Sequence, residues 1–108
     1  MLAIERLIEE QNSERGWQNQ QNGIAFERKQ WNIELKLGML AIISSGSRSP
    51  IDVVSIRKDY VLLITCKENG YLTPKERRDL DNLKKRLPTF CRIQMRYKIG
   101  KKLHKVWY

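Results

Sequence analysis

The run Ile51-Asp52-Val53-Val54-Ser55-Ile56, the turn Arg57-Lys58-Asp59 and the run Tyr60-Val61-Leu62-Leu63-Ile64-Thr65-Cys66-Lys67 decide the reading of this chain. Two β-branched, aliphatic stretches flank a short polar turn, which is the pattern of a β-hairpin. If Lys58 and Asp59 close the turn, antiparallel pairing sets Asp52 opposite Thr65, and Lys67 becomes a diagonal neighbour on the same face. An acid and an amine then meet at one spot. Carboxylate oxygens bind hard cations such as Mg2+, and a lysine beside such a cation can hold a phosphate oxygen or orient a water.

Working outward, Met39 to Ser44 reads as an apolar strand, joined to the hairpin by the polar loop Ser45-Gly46-Ser47-Arg48-Ser49-Pro50. Before it, Ile24, Trp31 and Leu35 with Phe26, Ile33 and Leu37 predict a helix from Ile24 to Leu37 with two apolar edges, capped by Gly38. After the hairpin, Thr73 is a candidate N-cap, Pro74 occupies the first helical position and Glu76 completes a capping box. Leu80, Leu83 and Leu87 face inward until Pro88 ends the helix. Cys91, Ile93, Met95, Tyr97 and Ile99 then alternate with Arg92, Gln94, Arg96 and Lys98, which predicts a half-buried strand with a cationic outer face. Gly100-Lys101 turns the chain into a last strand, Leu103 to Tyr108. The order αβββαββ describes an α/β domain, a mixed central sheet flanked by helices.

Charge points to the class of partner. The chain carries 21 Lys and Arg against 12 Asp and Glu in 108 residues, and residues 73–108 hold 12 of the basic groups and 3 of the acidic ones. That surplus exceeds what solubility asks of a small domain and favours a polyanion. Residues 2–11, with Met1, Ile4, Leu7 and Ile8 on one stripe, predict a short amphipathic helix. Residues 12–23 are a polar linker in which Trp17 stands alone, either a docked anchor or a stacking platform. The division is therefore an N-terminal helix and linker over 1–22 and one domain over 23–108. Glu5, Glu9 and Glu10 argue against a leader or a membrane span at the start, so a cytoplasmic protein with no membrane partner is expected. Cys66 and Cys91 read as reduced, buried thiols, and two Cys with one His do not make a structural zinc site. His104 reads as a surface residue rather than a catalytic base.

The stretch Gly23-Ile24-Ala25-Phe26-Glu27-Arg28, a helix ending at Gly38, a strand, the loop Ser44-Ser45-Gly46-Ser47, then Pro50-Ile51-Asp52-Val53-Val54 and Leu62-Leu63-Ile64-Thr65-Cys66-Lys67 follow in order. Together they resemble the PD-(D/E)xK nuclease superfamily, and within it the archaeal and viral Holliday-junction resolvases, over residues 23–108. The resemblance implies a restriction-endonuclease-like core and a metal-dependent endodeoxyribonuclease that cuts branched DNA. It implies that Asp52 is the principal ligand of Mg2+ or Mn2+, that Glu27 completes the metal shell or positions the attacking water, and that Lys67 activates that water or stabilises charge on the phosphate. Ser45, Ser47 and Arg48 would lie on a loop approaching the cleaved strand. Read from their own surroundings, Glu27 could equally be a solvated helix residue, Asp52 a partner of Arg48, and Lys67 a surface cation.

One position departs from the superfamily pattern. Two residues before the lysine it carries Asp or Glu, and here it carries Thr65, a neutral hydroxyl and a poor cation ligand. Adjacent Glu68 points to the opposite face of the strand. Some superfamily members move this acid to the following helix, where this chain offers Glu76 and Asp79. The alternative function is a catalytically weakened relative that binds nucleic acid without cutting it. DNA contacts are expected at Lys84, Lys85 and Arg86 on a helix end and at Arg92, Arg96 and Lys98 on the strand. A four-way junction has two-fold symmetry, so a homodimer is expected, with the last strands, bearing Trp107 and Tyr108, as its interface; the alternative is that these two residues fold back onto their own core.

Overall fold

The computed structural model describes residues 23–44, 49–67 and 69–108. The expected helix over 2–11, its linker, Trp17, Glu68 and the loop residues Ser45, Ser47 and Arg48 lie outside the described residues. α1 spans residues 23–36, followed by β1 (Leu40–Ile43), β2 (Val53–Ile56), β3 (Val61–Lys67), α2 (Pro74–Arg86), β4 (Cys91–Ile99) and β5 (Lys102–Trp107). The strands form one mixed sheet in chain order: α2 crosses over between the parallel neighbours β3 and β4, and the other pairs are antiparallel.

The hairpin has the register that its turn dictates. Arg57 N–H donates to Tyr60 O at 2.9 Å across Lys58-Asp59, and Val53 faces Ile64, so the next pair outward is Asp52 and Thr65. Side-chain alternation then sends Val53, Ser55, Leu62 and Ile64 to one face and Val54, Leu63 and Thr65 to the other.

On the second face α2 closes the core. Leu80 is buried with Leu63, Ile51, Leu72 and Ile93, and Leu83 and Leu87 pack at its margin. The start of α2 carries the expected cap: Thr73 accepts from Glu76 N–H, and Glu76 accepts from Thr73 N–H, each at 3.2 Å. Pro74 gives up no helical hydrogen bond at this position.

The α1 face differs from expectation. Leu35 and Leu37 are 40% and 54% exposed, whereas Gln30 and Glu34 are fully buried. The helix turns a polar stripe to the sheet. Gly38 ends α1 at φ +83°, a left-handed conformation that only glycine adopts without strain. Trp31 Nε1 donates to Ala41 O at 2.8 Å and fixes the helix against β1.

One further expectation is corrected. Arg96 does not lie on an outer face: it is 1% exposed, because α1 covers the middle of that side of β4. Arg92 and Lys98, beyond the helix at either end, keep contact with solvent. Tyr108 follows the fold-back alternative, donating through its backbone N–H to Ile93 O at 2.9 Å and through its hydroxyl to Asp81.

Candidate functional site

Asp52 precedes β2, and its position follows from the hairpin register. Its backbone N–H donates to Ile64 O at 2.8 Å, and its carboxylate accepts from Cys66 N–H at 2.6 Å. The backbone therefore fixes the carboxylate before any ligand arrives. α1 brings Glu27 to the wall of the same cavity, where it and Asp52 are near enough to perturb each other's proton. Burial, then the charge of Asp52, pushes Glu27 up to about 7. Burial also raises Asp52, against the lowering pull of Cys66 N–H, Glu27 and Lys67. Two carboxyls this close share a proton rather than both ionising.

Lys67, at the end of β3, forms an ion pair with Glu76 from the first turn of α2. Glu76 therefore serves as both cap and counter-ion. A cavity of about 880 Å³ opens here, lined by Glu27, Asp52, Thr65, Lys67, Glu76 and Asp79. The chain thus gathers these six positions, drawn from one strand, two helices and a loop, around one space. Thr65 is 2% exposed and brings no charge. Among the described residues, no three carboxylate, thiol or imidazole groups converge as a ready-made metal shell.

Two carboxylates still suit a hard cation. Mg2+ takes one or two protein carboxylates and fills its octahedron with waters and phosphate oxygens. A half-buried pair that holds a proton is also a place where a cation relieves repulsion. Cys66, half-buried beside this pair, is raised well above the usual thiol range by burial and then by the two acids, so it stays a thiol rather than becoming a nucleophile.

The expected DNA-contacting residues do not form a single patch. Lys98 stands at the cavity end of β4 and Arg92 at the other, six residues apart, or about 20 Å at the rise of a strand. Lys84, Lys85 and Arg86 are exposed in the last turn of α2, at the far end of the helix from Glu76. His104 stacks on Tyr97 with ring centroids 5.0 Å apart, which accounts for it without a catalytic role.

Sequence reasoning missed the residues that hold α1 in place. Glu34 takes Arg57 on one carboxylate oxygen and Arg96 Nη2 on the other, the latter at 3.1 Å. Arg96 also donates to Gln30 at 3.2 Å and to Gln94 at 2.9 Å. Glu27, Gln30 and Glu34 share one stripe at spacings of three and four, so the same contacts that anchor α1 set Glu27 beside Asp52. That spacing was the available signal. No family model matches the chain, and no curated protein matches it.

Proposed function

We propose that this protein is a metal-dependent endodeoxyribonuclease with a restriction-endonuclease-like core, acting on branched DNA in the manner of a Holliday-junction resolvase. The observation that carries this reading is the convergence of Glu27, Asp52 and Lys67 on the wall of one cavity. Glu27 and Asp52 would hold Mg2+ or Mn2+, which when bound supplies positive charge to a phosphate oxygen and a more acidic water. Asp52 is oriented for this by the Cys66 N–H. Lys67 holds a phosphate oxygen or the attacking water, and Glu76 keeps its ammonium at the cavity wall until substrate competes for it. The net charge of +9 draws the polyanion in. Two copies, one site each, would match the two equivalent strands of a four-way junction.

A second reading has its own observation in support. Thr65 leaves the cavity one acid short, and Glu76, the candidate substitute, is committed to Lys67 and to the helix cap. A nuclease-like domain that binds DNA without cutting it fits this arrangement. The test is incubation with a synthetic four-way junction, a linear duplex and single-stranded DNA, with Mg2+ or Mn2+ and in EDTA. Cleavage is expected only with the cation, and is expected to be lost in Asp52→Ala and Lys67→Ala while binding persists. Cutting that survives EDTA or Asp52→Ala overturns the assignment, and binding without cutting in the parent establishes the second reading.

A further inference from the structure

At the end of the sheet away from the Glu27–Asp52 pair, the chain leaves Trp107 in the open and sets cations against two half-buried tyrosines beside it. Trp107, the last residue of β5, is 55% exposed and meets Tyr60 edge to face at 6.5 Å. The Arg92 guanidinium lies over the Tyr60 ring, 5.1 Å from its centroid, and Lys84 Nζ stands 5.9 Å from the centre of Tyr108. Lys84, Arg92, Trp107, Tyr108 and Thr89 border a groove of about 430 Å³. No acidic side chain is among its described lining residues. Lys85 and Arg86 are exposed beside Lys84.

Trp107, more than half exposed beside these cations, keeps ring surface available for stacking. Cations alone would suit any polyanion, and rings alone would suit another apolar surface. Their alternation suits an unpaired nucleic-acid strand, whose bases stack while its phosphates take the ammonium and guanidinium groups. Duplex DNA hides the base faces and could use only the cations.

We infer that the groove bounded by Trp107, Arg92, Lys84 and Tyr108 is a binding site for single-stranded nucleic acid, separate from the carboxylate cavity. The inference rests on the nucleic-acid reading above but not on cleavage. The span between the two ends of β4, about 20 Å, corresponds to roughly six stacked nucleotides, so one strand or two arms of a branched molecule could occupy both places.

The experiment is fluorescence anisotropy of a labelled single-stranded 12-mer and its duplex, with the full-length protein in EDTA so that no strand is cut. Trp107→Ala is expected to weaken single-strand binding by roughly 5- to 100-fold, the range for loss of one stacked base, and duplex binding by far less. Trp107→Phe, which keeps a ring, is expected to stay within about 3-fold of the parent, and the parent's tryptophan emission is expected to be quenched by the strand where that of Trp107→Phe is not. A melting curve for each variant confirms that it folds.

Equal binding by parent and Trp107→Ala overturns the proposal. So does a sedimentation mass that falls from dimer to monomer in Trp107→Ala, because the ring is then buried against a second copy. Failure of the nuclease reading is seen separately: if no substrate is cut but Trp107→Ala loses the strand, the groove stands and the catalytic assignment falls.

Discussion

On one face of the sheet, Leu80 and Leu72 close over Ile51, Leu63 and Ile93; on the other, α1 closes over Val53, Leu62 and Ile64 with Gln30 and Glu34 facing two arginines. The first face is held by apolar area, which is tolerant of small shifts because it has no direction. The second is held by a carboxylate shared between two guanidiniums, which fixes angle and register. The difference shows where geometry has to be tight. α2 needs only to cover the core and present Glu76, whereas α1 must put Glu27 against Asp52.

Breaking each face in turn should separate these roles. Glu34→Ala leaves Arg96 buried without its counter-ion and is expected to cost about 3–5 kcal/mol, read from denaturant midpoints. Leu80→Ala should cost about 3 kcal/mol, from lost burial and the cavity left behind. The sharper test is Glu34→Met combined with Arg96→Met, in which Arg57, already partly exposed, can turn to solvent. Stability should then return only in part: the buried ion pair gives way to apolar groups of similar volume, but Gln30 and Gln94 lose the Arg96 guanidinium at about 1–3 kcal/mol for each unpaired amide. Metal-dependent cleavage should not return with it, since α1 has lost its directional contacts. A double variant that is both stable and fully active would show that the ion pairs do nothing to place Glu27.

The two clusters of acids also respond to pH with opposite sign. Glu27 is raised from 4.5 to about 7, so the folded protein holds a proton that the unfolded chain releases. Its contribution is full below about pH 4.5 and is lost as pH rises through about 7. Complete burial would make this about 3 kcal/mol, but Glu27 is only half-buried, and solvent screening leaves about 1 kcal/mol. Glu34 goes the other way: burial pushes it up, but Arg57, Ser55 and Arg96 outweigh that and hold it below its ordinary value. Its contribution is present above about pH 4.5 and lost in acid. In EDTA these two groups together should therefore favour the metal-free protein most near pH 4.5, with losses towards pH 7 from Glu27 and in acid from Glu34. Glu27→Gln should flatten the alkaline side alone. An unchanged alkaline slope in that variant would mean that the proton is not held there.

The same contrast explains what the sequence made legible. The hairpin register followed from the two-residue turn Lys58-Asp59, and α2 followed from Thr73, Pro74, Glu76 and the leucines, since each rests on local spacing. The αβββαββ order and the gathering of Asp52 and Lys67 came with them. The polar side of α1 was not legible. Gln, Glu and Arg are exposed in most proteins, so strand alternation puts Arg96 on an outer face, the helical pattern puts Leu35 and Leu37 on apolar edges, and nothing local marks Gln30 and Glu34 as buried. Only the long-range pairing of Glu34 with two arginines, one 23 and the other 62 residues away, reverses that assignment. Trp107 and Tyr108 were taken as a unit because they are adjacent. Alternation along a strand sends them to different fates, one exposed and the other folded home.

The smallest expected effect lies where the two faces meet, at Glu76. Its carboxylate accepts the Thr73 N–H and pairs with Lys67, so a helix cap and a cavity wall depend on one side chain. Glu76→Gln keeps an oxygen for the cap and removes only the charge. A solvent-accessible ion pair is worth at most about 1 kcal/mol, so stability should fall by about 0.5 kcal/mol. Thr73→Ala does the reverse, costing about 1 kcal/mol of helix capping while leaving the charge on Glu76. Activity should rank the two variants the other way. Loss of the counter-ion frees Lys67 from the cavity wall, so Glu76→Gln should alter cleavage more than Thr73→Ala does. If Thr73→Ala proves the more damaging to cleavage, Glu76 matters as the start of a helix, and Lys67 does not depend on it for its place.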